Sequence, residues 1–367
     1  MEYKKLDELL EYIQPTKYIV DSENYDDSFP TPVLTAGKSF ILGYTDETNG
    51  IYFASKENPI ILFDDFTTEC KLVDFAFKVK SSACKILKPK KDINIKYVYY
   101  AMKNIDIDTA LHKRYWISIY SQQTIPFPIS RIQENIVSEI EVINETIEYN
   151  EHKIKYLEEL IKSKFIEMFG DISQTDKSNF VTLSSFCTIS SSRRVHASDY
   201  VIEGIPFFRS KEIIELGEGR LPSVELFISQ QHYDNIKKKN YIPQKDDILM
   251  SAVGTIGKMW IVDGKREFYY KDGNILCIHS EDTNSIFLKF TLSMLIDDFK
   301  SENVFGSSYD ALTIEKLNKM LVFLPDISQR NKFADFVQQI DKSKLIVQQE
   351  IKLLNELLEV KTNEYFS

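Results

Sequence analysis

Three groups of residues in the 367-residue sequence have types that could do chemistry, and spacing decides against each. Val253-Gly254-Thr255-Ile256-Gly257-Lys258 looks like a phosphate-binding loop. Such a loop needs four residues between its glycines, so that backbone N–H groups cradle the phosphates, and a Ser or Thr after the lysine to hold magnesium. Here two residues intervene and Met259 follows, which predicts a tight turn between two strands. Pro325-Asp326 with Glu350-Ile351-Lys352 imitates the acidic cluster of a metal-dependent nuclease. Both pieces fall on one expected helix, roughly 36 Å apart at helical rise, so they cannot share a metal. The four cysteines (Cys70, Cys84, Cys187, Cys277) include no Cys-x-x-Cys pair, and the five histidines (His112, His152, His196, His232, His279) have no ligand spacing. Metal sites need such clustering. The expectation is reduced thiols, no metal, no cofactor held by this chain and no catalysis of its own.

The informative features are organisational. Residues 125–170 lie over 322–367 without a gap, at a constant offset of 197. Pro128 falls on Pro325, Ile143 on Ile340, Ile154 on Ile351, Leu160 on Leu357 and Phe169 on Phe366. A weaker echo links Thr31-Pro-Val-Leu with Ile205-Pro-Phe-Phe, and Ile60-Ile-Leu-Phe with Ile248-Leu-Met-Ser. Each strong copy carries an apolar stripe. The first runs through Ile136, Ile140, Ile143, Ile147, Ile154, Leu157 and Ile161, the second through Phe333, Val337, Ile340, Val347, Ile351, Leu354 and Leu358. Steps of four and three give a 3.5-residue period, the seam of a coiled coil. Asn150, Lys164, Lys344 and Lys361 interrupt the stripes, as polar seam residues that fix register do. A lone stripe would ordinarily be one helix packed on a globular core; two matching stripes favour mutual pairing. A whole globular segment separates the copies, so antiparallel pairing is expected, with helices of about 36 residues spanning roughly 54 Å.

The segments before the helices read as mixed α and β. Strands are expected at 51–54, 59–63, 72–79, 247–250, 259–262 and 275–278, and helices at 95–103 and 286–299. The expected fold class is α+β: two mixed α/β domains (1–127 and 171–324) joined by two long helices (128–170 and 325–367) paired as an antiparallel coiled coil, with an internal pseudo-two-fold repeat. A 43% hydrophobic, 13% aromatic composition with only 12 Gly and 11 Pro supports packed cores. There is no basic, apolar leader at Met1 and no apolar run long enough to cross a bilayer, so a cytoplasmic protein without a membrane partner is expected. Net charge is −10; residues 1–125 carry 16 basic and 18 acidic side chains, and residues 171–322 carry 18 and 21. Neutralising phosphates drives much of nucleic-acid affinity, so any phosphate-facing surface must be a local patch or be completed by a partner.

The sequence resembles the specificity subunits of type I restriction–modification systems along essentially its full length. Tyr12-Ile-Gln-Pro-Thr-Lys-Tyr-Ile-Val, Thr31-Pro-Val-Leu-Thr-Ala-Gly-Lys-Ser-Phe-Ile-Leu-Gly-Tyr-Thr and Asn58-Pro-Ile-Ile-Leu-Phe-Asp-Asp-Phe-Thr-Thr look like a first target-recognition domain. Ile205-Pro-Phe-Phe-Arg-Ser-Lys-Glu-Ile, Asp247-Ile-Leu-Met-Ser-Ala-Val-Gly-Thr-Ile-Gly-Lys and Gly306-Ser-Ser-Tyr-Asp-Ala-Leu-Thr look like a second. Ile125-Pro-Phe-Pro-Ile and Val322-Phe-Leu-Pro-Asp-Ile close the two domains. The resemblance implies that each domain reads half of a bipartite double-stranded DNA site, with the helices as a ruler between the halves. It also implies two methyltransferase subunits docked on the helices, which motor-nuclease subunits can join; S-adenosylmethionine, ATP and Mg then belong to those partners. Base readers are expected among polar loop residues: Lys17, Tyr18, Thr35, Lys38, Lys113 and Arg114 in the first domain, and Arg193, Arg194, Arg209, Lys211, Ser251, Lys258, Ser307 and Ser308 in the second. The competing expectation is a duplicated coiled-coil scaffold that binds proteins without recognising DNA, which the acidic charge favours.

Overall fold

The two apolar stripes become helices of 40 residues, Ser130–Phe169 and Ile327–Phe366. Gln133 secures the first start by donating its side-chain N–H to the Pro128 carbonyl at 2.7 Å. Gly170 ends that helix at φ +76°, a left-handed conformation that costs a residue without Cβ little, and its N–H reaches the Ile166 carbonyl at 2.8 Å. Seam residues are buried or half-buried throughout, and Asn150 is buried among them.

In this computed structural model the described residues are 2–35, 37, 39–107, 114–170, 180–281, 284–302 and 311–367. They divide into two compact units, Met1–His152 with Gln349–Ser367, and Lys153–Gln348. Each unit therefore contains one head and part of both long helices. Within the first, Glu139 meets Lys361 (3.5 Å) and the Tyr365 hydroxyl, while Ile140 and Asn144 line one groove with Asn355 and Leu358. Within the second, Glu158 meets Lys344 (2.7 Å), and Phe165 packs edge-on to Phe333, with ring centroids 5.3 Å apart. In both, numbering rises along one helix as it falls along the other, so the helical portions run antiparallel.

The heads repeat the antiparallel sheet and the parallel pair, and differ in the outer strand of the mixed sheet. In the first, Tyr3–Lys5 pairs with Thr124–Pro126 and joins the head's beginning to its end. One sheet has the strand order Leu10–Ile13, Cys84–Pro89, Ile60–Asp64, Cys70–Val73, all antiparallel. The other has the order Ile41–Thr45, Thr31–Leu34, Ala76–Val79, Tyr52–Phe53, with a parallel pair at its centre. In the second head, Phe180–Thr182 pairs with Leu321–Phe323. Its antiparallel sheet has the order Thr188–Ser191, Ile275–His279, Ile248–Ser251, Met259–Ile261. Its mixed sheet has the order Tyr200–Val201, Phe227–Ile228, Ile205–Phe208, Tyr269–Tyr270, the last two strands parallel.

The expected strands and the helix Ile95–Lys103 are present, with one correction. The apolar run 72–79 is split at exposed Asp74 into strands that belong to different sheets. Helix Ile95–Lys103 starts where the Asn94 side chain accepts the Tyr97 N–H, and it buries Tyr97, Val98, Ala101 and Met102 against the first head. The short helices Ser210–Gly217, Gln230–Lys237 and Ile314–Lys319 lie outside the expected set.

Candidate nucleic-acid interface

In both heads the parallel strands deliver their following loops to one sheet edge. In the first, Lys80 N–H bonds the Leu34 carbonyl (3.0 Å), and Val20 N–H bonds the Val79 carbonyl (3.0 Å). In the second, Lys271 N–H bonds the Phe208 carbonyl at 2.9 Å. The register makes these bonds equivalent, since Leu34 pairs Val79 as Phe208 pairs Tyr270. Further links draw in neighbouring loops: Gly273 N–H donates to the Ser191 hydroxyl, Ala252 N–H to the Asn274 carbonyl, and Asp65 N–H to the Ala83 carbonyl. Three to four loops per head thus meet at the carboxyl ends of the parallel pair, where side chains are free of the ladder.

In the first head Lys17 is exposed and Tyr18 half-buried, its ring edge-on to Tyr52 with centroids 5.1 Å apart. Thr35 closes a turn by donating its hydroxyl to the Ser39 carbonyl at 2.6 Å. Arg114 is exposed beside buried Tyr115 and Trp116, whose backbone N–H groups bond the carbonyl and carboxylate of Asp65. Lys38, Lys113, Ser307 and Ser308 lie outside the described residues.

In the second head Arg193 is exposed, and its backbone N–H donates to the Tyr269 hydroxyl at 2.6 Å. Arg194 pairs Asp272 at 2.8 Å. Arg209 pairs both Glu212 and Glu225, and Lys211 pairs Glu225 at 3.0 Å. Hydrogen bonds donated to Glu212 and Glu225 raise the Arg209 guanidinium above its usual range, and Lys211 and Arg209 together lower the Glu225 carboxyl. A phosphate reaching Arg209 or Lys211 must displace those carboxylates. Ser251 requires a correction: it is fully buried, and its hydroxyl accepts the Lys258 N–H at 3.0 Å and donates to the Thr255 carbonyl. It shapes the loop and cannot reach a base. Gly254 (φ +74°) and Gly257 (φ +80°) complete that turn, the strand-to-strand turn expected in place of a phosphate loop, and Lys258 projects from it, exposed.

Buried polar contacts at these edges also involve residues absent from the expected set. Lys78, almost wholly buried, donates to the Asn49 carbonyl at 2.8 Å and pairs Glu47. Burial alone would raise the Glu47 carboxyl, but hydrogen bonds from Lys78 and the Ser22 and Asp21 amides outweigh it and hold it below the usual range. The available signal was a lysine inside the apolar run Phe75–Val79. Among the described residues, no group of three or more His, Cys, Asp or Glu side chains could hold a metal ion.

Duplicated heads that gather equivalent loops at equivalent edges define a class of two-headed recognition proteins. The family model "Type I restriction modification DNA specificity domain" matches residues 175–357, about half of the chain. The type I restriction enzyme EcoR124I/EcoR124II specificity subunit of Escherichia coli is 54% identical over 132 residues, 35% of this chain and only 32% of that one. A putative type I restriction enzyme specificity subunit of Haemophilus influenzae is 21% identical over 352 residues, 93% of this chain and 88% of that one. The solved S subunit of a type I restriction–modification system from M. genitalium shares the fold, with a TM-score of 0.60 at 15% identity over 100% of this chain and 96% of that one. A chain from a structural study of type I system assembly gives a TM-score of 0.58 at 15% identity, over 99% and 97%. The chain belongs to the type I restriction–modification specificity-subunit family, whose members specify the DNA target and are not catalytic.

Proposed function

We propose that this chain reads a bipartite double-stranded DNA site, each head taking one half, and recruits two methyltransferase subunits that motor-nuclease subunits can join. The observation that carries the proposal is the repeated loop edge: each head has a parallel strand pair in equivalent register, followed by equivalent loops. Two heads on one chain bind as a bivalent ligand, so half-site spacing becomes part of the specificity. S-adenosylmethionine, and ATP with Mg, act on the partners.

Exposed apolar residues support a pair of partners. Val142, Tyr149 and Tyr156 on the first long helix are exposed at seven-residue spacing, as are Ile346, Leu353 and Val360 on the second. The repeat offset places Tyr149 on Ile346, Tyr156 on Leu353 and Leu160 on Leu357. Exposed apolar rows outside a packed seam mark docking surfaces, and duplicated rows suit two copies of one partner. Arg193 and Lys258 in the second head, and Lys17 and Arg114 in the first, are the proposed base or phosphate contacts. Copurification with a type I methyltransferase subunit, followed by footprinting on DNA, tests the proposal. Two protected patches separated by a fixed gap are expected; a single continuous patch, or none, contradicts it.

A further inference from the structure

Lys78 and Tyr269 occupy the same place in the two heads. Thr31-Pro32-Val33-Leu34 repeats as Ile205-Pro206-Phe207-Phe208; Val33 faces Lys78 across the parallel pair, and Phe207 faces Tyr269. Both side chains are almost wholly buried, yet both end in a polar group spent on the backbone of an edge loop. Lys78 donates to the Asn49 carbonyl (2.8 Å) and pairs Glu47, whose carboxylate also accepts the Asp21 and Ser22 N–H groups. One buried ammonium thereby ties the loop carrying Asn49 to the chain just after Tyr18. Gly50 shows how closely these parts approach: at φ +64°, a Cβ there would meet the Lys17 carbonyl oxygen at 2.4 Å and the Lys78 ammonium at 3.3 Å. In the second head the Tyr269 hydroxyl accepts the Arg193 N–H at 2.6 Å, in the loop that follows Thr188–Ser191 as the Lys17 loop follows Leu10–Ile13.

We infer that Lys78 and Tyr269 are positioning residues that set the specificity of the first and second half-sites, by fixing the Lys17–Tyr18 and Arg193–Arg194 loops from beneath. Neither touches DNA. The inference rests on the proposed reading of a bipartite site, and the two half-sites allow failures of the two to be told apart. A satisfied buried hydrogen bond rigidifies the loop it ties down, and a binding constellation must be held to about 0.5 Å by such supporting contacts.

The test compares methylation of cognate sites with sites mismatched at single positions in either half, using the intact chain assembled with its methyltransferase subunits. Tyr269→Phe keeps the ring and removes only the hydroxyl. The expected result is about a fivefold or greater loss of discrimination, the worth of one hydrogen bond of about 1 kcal/mol, confined to the second half-site. Lys78→Met with Glu47→Gln, which leaves no unpaired charge, is expected to relax the first half-site alone. Thermal melting of each assembly checks folding, and if the Lys78 variant does not fold, Tyr269→Phe carries the test. Unchanged discrimination in Tyr269→Phe, or equal loss in both halves, overturns the inference. If the unaltered assembly recognises no bipartite site, it is the proposed function that fails.

Discussion

Lys85 and Asp65 lie 3.2 Å apart, with both side chains about 2% exposed. Asp65 also accepts the Trp116 N–H at 2.8 Å, so one buried carboxylate holds strand Cys84–Pro89 and the segment after Arg114 together. Lys85→Met leaves that carboxylate buried without its cation. Removing one partner of a buried pair costs about 3–5 kcal/mol. Denaturant unfolding followed by Trp fluorescence is expected to show the first head lost at markedly lower denaturant. An unshifted midpoint would show that the pair contributes little.

The exposed apolar rows of the long helices should matter to a partner and not to folding. Tyr156→Glu and Leu353→Glu remove no buried contact, so stability is expected to stay within about 0.5 kcal/mol. Copurification with the methyltransferase subunit is expected to fall about tenfold or more, since aromatic anchors such as Tyr dominate such interfaces and a glutamate at either position would bury an unpaired charge. Undiminished copurification of both variants would move the docking surface elsewhere.

All four cysteines are buried. Burial pushes the Cys70 and Cys187 thiols up to about 12, and the Cys277 thiol is pushed up by burial and then by Asp247. The thiolate is the reactive form, so at pH 8 these three should hold almost none of it. Thiol titration of native protein should give little reaction over hours, and denatured protein should titrate fully. Fast labelling of the native chain would mean that one of these sites opens.

Arg193 and Arg209 were equally plausible base readers from sequence, and their surroundings separate them. Arg193→Ala removes an exposed side chain that has no carboxylate partner among the described residues, and should relax one position of the second half-site by about 1–3 kcal/mol. Arg209→Ala instead strips the cation from buried Glu212 and should lower stability more than specificity. Measured discrimination and melting temperature for each variant check this, and the reverse pattern would reverse the assignment.

Much of the architecture is legible in the sequence because it rests on periodicity and repetition. The stripe from Ile136 to Ile161 and its copy from Phe333 to Leu358 needed no structure to be paired. The loop edges are harder to read, because they depend on contacts far apart in sequence. Glu47 reaches Lys78 across 31 positions, and Arg193 reaches Tyr269 across 76. Both faces of Ala76–Val79 are covered, so alternation gave Lys78 no reason to look buried. Ser251 has the type of a base reader, but its strand is buried along its whole length. Residue type predicts what a side chain can bind, whereas exposure and existing partners decide whether it is available.

Two heads on one chain should read two separated half-sites. Co-expression with the methyltransferase subunit of the same host system, followed by single-molecule sequencing for methylated adenines, tests it most directly. A discontinuous motif with two defined halves and a fixed spacer is the predicted result. Stable assembly with the methyltransferase but methylation at a continuous motif, or at no motif, would contradict it.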